Sequence, residues 1–364
     1  MWILAGIIII LTIIVYAFFQ QSKFGKASSG KRWERMKNSP NFKNGQFQNQ
    51  NPTPALTEGV SYTSVLKEFF FEKKKHRKPP AQLPSQKTDL FKLDPNEDVL
   101  TWFGHSSYFL QVDGKKFLVD PVLSGSASPI RFTTRSFPGT DAYTAEDIPA
   151  IDYLIITHDH WDHLDHDTVV KLKPKVSKVI TGLGIGAHLE HWGYHPGMIT
   201  ELDWNEEVQL EPGVLINSAP ARHFSGRTFK RNTTLWSSYI LTTLSNRIFI
   251  GGDSGYDDHF KSLGDKFGPF DLVILENGQY DKNWKYIHML PEEVVRAAED
   301  LKAKRLLPVH WSKFALGNHP WNEPIVRVTN EAVKRNMEIL HPMIGEALFF
   351  KHSYKGTRWW ESIT

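Results

Sequence analysis

Hydrophobic and polar positions divide the chain into three stretches. Residues 2–19 (WILAGIIIILTIIVYAFF) carry no charge and only Thr12 is clearly polar, which predicts a helix apolar on every side. Eighteen helical residues at about 1.5 Å each cover roughly 27 Å, close to the hydrocarbon thickness of a bilayer. A cleaved leader fits less well, because no Lys or Arg precedes the run and no small-x-small site follows it. From Lys37 to about Gln50 the chain is rich in Asn, Gln, Lys and Gly with little periodicity, which predicts a flexible tether. Residues 64–71 (SVLKEFFF) form a short helical segment before the basic run at 73–78. Its three phenylalanines either sit at a headgroup interface or pack on the body, and the sequence leaves both open.

Past Asp98 the period shortens. Runs at 99–103, 108–112, 116–119, 151–157, 178–181, 214–218, 236–242, 247–250 and 272–275 read as strands. Asp113-Gly114 supplies a hairpin turn between the second and third. Helical patterns lie at 165–172, 185–192, 291–303 and 323–335. Strands interleaved with helices predict an α/β (α+β) chain folded as an αββα sandwich, sheets inside and helices outside. The expected organisation is an anchor at 1–20, a basic juxtamembrane tether with a short helix at 21–88, and a catalytic domain at 89–364.

Charge refines this division. Residues 1–88 hold 14 Lys/Arg against 4 Asp/Glu, and the rest of the chain holds 29 against 36. A basic front on an acidic body points to an anionic surface near the N-terminus, phospholipid headgroups first and nucleic acid second. Lys23, Lys26, Lys31, Arg32, Arg35 and Lys37 follow the apolar run and nothing basic precedes it. The positive-inside rule then predicts a single-pass membrane protein with its catalytic domain in the cytoplasm. The absence of cysteine excludes disulfides, thiolate zinc sites and a thiol nucleophile, so any metal must rest on histidine and carboxylate.

Such residues cluster after the apolar strand at 151–157, at His158-Asp159-His160-Trp161-Asp162-His163. One metal can take His158 and His160, and a neighbour Asp162 and His163. Imidazole with carboxylate suits zinc, iron or manganese. A solvated polar loop would not predict four ligand-type residues at H-x-H-x-D-H spacing. His223, Asp253 and His310 each follow a β-rich run and are candidates to complete the shells. Asp253 lies in Gly251-Gly252-Asp253-Ser254-Gly255, where glycine allows close backbone approach.

H-x-H-x-D-H, then a histidine, an aspartate in a GDSG context and a last histidine resembles the metallo-β-lactamase superfamily. Within it the chain is similar to the N-acylphosphatidylethanolamine-hydrolysing phospholipase D group. The similarity rests on Gly104-His105-Ser106-Ser107, the DPVLSGSASP run at 120–129, Gly251 to Tyr256, and the PVHWSKFAL run at 308–316. The resemblance implies two metal ions, zinc by expectation, with His158, His160 and His223 on one. Asp162, His163 and His310 would hold the other, and Asp253 would bridge. Asp162 could also orient the nucleophile that such a metal pair supplies at neutral pH. It further implies a phospholipid substrate and a possible homodimer. His288 is expected either to bind substrate and donate a proton, or to be a plain histidine at a helix entrance. His105 and Asp120 are expected to orient ligands, whereas His188, His191 and His195 are explained by one helix and its end. Trp102, Trp161, Trp192, Trp236 and Trp311 would line a lipid groove or fill the core.

The expected function is a membrane-anchored phosphodiesterase of phospholipase D type, and a lactonase or other ester hydrolase on the same fold is the alternative. A nuclease is disfavoured, because an acidic body repels a polyanion.

Overall fold

The computed structural model describes residues 2–71 and 76–363, so Lys73, Lys74 and Lys75 of the basic run lie outside the described residues. The question of where the phenylalanines at 69–71 pack is answered only at Phe71, which is exposed.

Helix α1 (Trp2–Phe19) is apolar on all sides and buries none of its residues. The next stretch is not a free tether. Helix α2 (Gly30–Lys37), strands β1 (Phe42–Lys43) and β2 (Gln46–Phe47) and helix α3 (Tyr62–Phe71) lead into the body. Arg32 forks onto both carboxylate oxygens of Glu190 at 2.6 and 3.1 Å and reaches Glu201 at 2.6 Å, while Arg35 meets Glu206. Met36 and Phe47 are buried with Leu183, Trp204 and Trp236. Part of the basic front therefore finds its anionic partner in the acidic body of the same chain. A polar composition concealed this, because two apolar residues and one bidentate arginine are enough to pin the segment.

Two seven-stranded sheets follow. The first contains β3 (Val99–Trp102), β4 (Tyr108–Val112), β5 (Lys115–Val119), β6 (Ile151–Ile156), β7 (Val176–Gly182) and β8 (Ile199–Leu202). The second runs through β9 (Glu207–Glu211), β10 (Val214–Ala219), β11 (Ser238–Thr242), β12 (Arg247–Ile250), β13 (Leu272–Glu276), β14 (Arg305–Val309) and β15 (Glu338–Ile339). Strand β16 (Ala347–Phe349) returns to the first sheet beside β3. In both sheets an antiparallel half gives way to a parallel half, at β5/β6 and at β12/β13.

Strand β6 explains its own apolar run. Tyr153 and Ile155 face the core between the sheets, whereas Leu154 and Ile156 meet the outer layer of α4 (His166–Leu172) and α5 (Gly186–His191). A strand covered on both faces cannot alternate with polar residues. Helices α6 (His259–Phe267), α7 (Pro291–Asp300) and α8 (Glu323–Arg335) cover the other sheet, through Phe260, Val294, Ala298 and Val328. The layers are α-β-β-α as expected. Helix α6 escaped the pattern because Gly264 interrupts it. A Cβ there would come within 1.9 Å of the Asp300 carbonyl oxygen, so glycine is what lets α6 approach α7.

Candidate metal centre

The predicted ligands converge at the carboxyl ends of the strands. The loop after β6 supplies His158, His160, Asp162 and His163, β10 leads to His223, β12 to Asp253 and β14 to His310. His158, His160, His223 and Asp253 bring ligand atoms within 4.8 Å of one another, and so do His105, Asp162, His163 and His310. Asp253 belongs to both neighbourhoods. Its Oδ2 is 3.2 Å from His163 Nε2, 3.7 Å from His223 and 3.8 Å from His158, and its Oδ1 is 3.2 Å from His310 Nδ1.

The hydrogen bonds behind the rings fix which nitrogen is bare. Thr157 donates its hydroxyl to Asp120 and can accept from His158 Nδ1 at 3.1 Å, which leaves His158 Nε2 as a lone pair. His223 Nδ1 donates to the Ile287 carbonyl at 2.9 Å, and His163 Nδ1 donates to Asp120 at 2.8 Å. The front nitrogens then crowd together, His158 Nε2 lying 2.9 Å and His223 Nε2 3.2 Å from His160 Nδ1. His163 Nε2 and Asp253 Oδ1 are buried without a hydrogen-bond partner. Converging lone pairs of imidazole and carboxylate, with their rear atoms tied down, are the donor set of a transition-metal or zinc ion. The residues fit the metals that the fold implies.

Electrostatics agrees with that fit except at His163, where the carboxylates of Asp253, Asp162 and Asp120 overcome burial and raise the imidazole. Burial, reinforced by the other imidazoles, pushes His158, His223 and His310 well below the ordinary histidine range, so they are neutral and able to donate to a metal. Burial opposes charge on Asp162 and Asp253, but the adjacent histidines outweigh it and hold both carboxyls ionised. His105 Nε2 lies 2.9 Å from Asp162, and Ser106 Oγ lies 2.9 Å from His310. His105, Asp120 and His310 all adopt positive φ, a region costly for residues with a Cβ.

A cavity of about 320 Å³ opens over the cluster. His160, Asp162, His223, Asp253, His288 and His310 form its polar floor. Leu56, Val65, Phe224, Trp284, Ile287 and Leu316 form apolar walls, and Arg231 adds a cation. His288 is thus a buried pocket residue rather than a surface one. Its Nδ1 lies 3.3 Å from Glu276. Burial raises Glu276 to about 7 against the pull of His288, while Glu276 and Asp253 overcome burial to raise His288. Of the five tryptophans weighed from sequence, none lines this cavity. Trp102, Trp236 and Trp311 are core, and the pocket uses Trp284 instead.

Sequence reasoning missed three supporting residues. Asp159 accepts from Gly226 N–H at 2.7 Å and faces His188 Nε2 at 3.3 Å, and His188 Nδ1 takes the Lys26 amide. Arg227, buried, donates to the carbonyls of Asp159 and Leu164 and to that of Lys23, and stacks 3.9 Å over Trp161. His188, expected to be an ordinary helix residue, is instead tied to Asp159 and Lys26, and Asp159 and Arg227 carried no mark because their partners lie far off along the chain.

A profile described as Beta-lactamase superfamily domain matches residues 115–311. The chain belongs to that superfamily and has the metallo-β-lactamase fold, the class of metal-dependent hydrolases. It is 37% identical over 328 residues to an uncharacterized protein of Mycobacterium tuberculosis, covering 88% of this chain and 87% of that one. It is 33% identical over 235 residues to N-acyl-phosphatidylethanolamine-hydrolyzing phospholipase D 1 of Caenorhabditis elegans, covering 60% of this chain and 64% of the relative. Igni18, a metallo hydrolase from Ignicoccus hospitalis, superposes with a TM-score of 0.55 at 20% identity over 70% of this chain and 99% of its own, a likeness of fold.

Proposed function

We propose that the chain is a membrane-anchored, dinuclear metal-dependent phosphodiesterase of phospholipase D type, acting on N-acylphosphatidylethanolamine or a closely related phospholipid. The observation that carries this reading is the pocket, whose apolar walls stand directly over a floor of histidine and carboxylate. A small polar ester needs no such walls, whereas a lipid buries its chains against them. The similarity to the nematode phospholipase supports the same substrate class.

His158, His160 and His223 would hold one ion, Asp162, His163 and His310 the second, and Asp253 both. Zinc is the expected metal, with iron or manganese also compatible with these donors. When bound, the pair supplies Lewis acidity and lowers the pKa of a bound water. Asp162, tethered by His105, orients the nucleophile. Arg231 draws the anionic phosphodiester to the floor. His288, kept protonated by Glu276 at Nδ1, delivers its Nε2 proton to the departing alkoxide oxygen. Helix α1, apolar and with no buried residue, would serve as the anchor, and the basic residues that follow it favour a cytoplasmic body.

The test uses the full chain in detergent, zinc-loaded, with N-acylphosphatidylethanolamine in mixed micelles and His160→Ala as control. Release of phosphatidic acid that disappears in the variant is the expected result. A metal-replete protein inert on the lipid but active on lactones would replace this reading with the lactonase.

A further inference from the structure

The end of α1 is built into the metal loop rather than hung from it. Phe18 and Phe19 pack on Phe24, and Phe24 meets Trp161, which lies between the ligands His160 and Asp162. The buried Arg227 clamps the Lys23 carbonyl to this loop. Wherever α1 enters a bilayer, the body is therefore held at a fixed attitude to it.

Two loops reach out beside this junction. In one, Phe229 is 88% exposed, its ring is 5.1 Å from Phe19, and exposed Lys230 and Arg231 follow it. In the other, Ile130 is 40% and Phe132 74% exposed, and Lys23 bonds the carbonyl of Pro129 at 2.6 Å. Large apolar side chains held open to water are unfavourable unless something covers them. Both loops border the point where an apolar helix ends, and cations accompany their aromatic tips. That is the pattern of a lipid interface, with apolar groups inserted and Lys/Arg at headgroup level.

We propose that loops 129–132 and 228–231 insert into the leaflet in which α1 ends, making a three-point membrane contact. This rests on the reading of α1 as a membrane anchor. The loop with Phe229 at its tip also lines the catalytic pocket through Phe224 and Arg231. Insertion therefore brings the pocket rim to the bilayer surface, and a phospholipid passes from the leaflet into the site without crossing water.

Because the chain contains no cysteine, single labels can be placed without background. Phe132→Cys and Phe229→Cys would each carry an environment-sensitive fluorophore, as would Ile9→Cys in α1. Leu244→Cys is the outside control, since Leu244 is exposed in the β11–β12 turn, at the edge of the sheet away from the metal centre. The full-length proteins are reconstituted in phosphatidylcholine vesicles with a minor share of phosphatidylglycerol, with and without nitroxide-bearing lipids. Several-fold quenching at 132 and 229 by nitroxides near the carbonyl region, with none at 244, is expected. Quenching at Ile9 by deep nitroxides without quenching at 132 and 229 would overturn the inference and leave the anchor standing. No quenching at any position, Ile9 included, would overturn the anchor and the inference together.

Discussion

At His163 the ring is fixed from behind by Asp120, whose other oxygen takes the Thr157 amide at 2.9 Å. Asp120 is buried, and burial pushes its carboxyl upward against the pull of His163. Asp120→Ala frees the imidazole to turn and removes the acceptor that selects its tautomer. The expected outcome is a metal affinity lower by about 10–100-fold, measured by competition with a chromophoric chelator. Unchanged affinity would mean that Asp120 is only packing. His259 sets a second expectation. Burial lowers its pKa to about 4, against an unfolded value near the ordinary 6.5. Between those values the unfolded chain binds the extra proton. The contribution to stability is therefore complete above about pH 6.5 and declines toward pH 4, by up to about 3 kcal/mol. Denaturant midpoints at about pH 7.5 and about pH 5 should fall less steeply in His259→Gln than in the parent, and parallel slopes would contradict this. The convergence of the candidate ligands was legible because four of them stand within six residues. Asp159 and Arg227 were not, since Arg227 acts on backbone carbonyls that no side-chain pattern encodes.

Among the elements, α8 was readable to its ends because its apolar face repeats cleanly, with buried Ile325, Val328, Thr329 and Ala332. The docked segment from α2 to β2 was not, because its stability comes from long-range pairs. Arg32 is the centre of that docking. Its fork onto Glu190 and Glu201 is largely sheltered, with side-chain exposures of 17% for Arg32 and 10% for Glu201. Arg32→Ala should cost about 1–3 kcal/mol and loosen the segment, so trypsin should cut after Lys26 or Lys31 faster in the folded protein. Equal digestion rates would show that Met36 and Phe47 hold the segment unaided. Strand β9 (EVQLE) also escaped notice, since its charged, partly exposed pattern lacks the apolar density of its neighbours.

Over the whole molecule, two sheets of like pattern meet face to face, and strands of both send loops to a common edge. The candidate metal ligands, the apolar pocket and the foot of α1 share that edge. Charge is arranged to match, as Arg32 and Arg35 of the basic N-terminal stretch pair with carboxylates of the acidic body. The sandwich was legible from strand and helix periods, whereas the placement of α1 against the metal loop was not, because it depends on Phe24, Trp161 and Arg227 meeting across the fold. The proposed reaction delivers water to phosphorus in a lipid phosphodiester. It is tested most directly by turnover of N-acylphosphatidylethanolamine in water enriched with oxygen-18, followed by mass spectrometry of the products. One heavy oxygen in the phosphate of phosphatidic acid and none in the N-acylethanolamine is the expected result. Heavy oxygen in a released fatty acid, with the phosphodiester intact, would contradict it and make the enzyme an acyl-ester hydrolase.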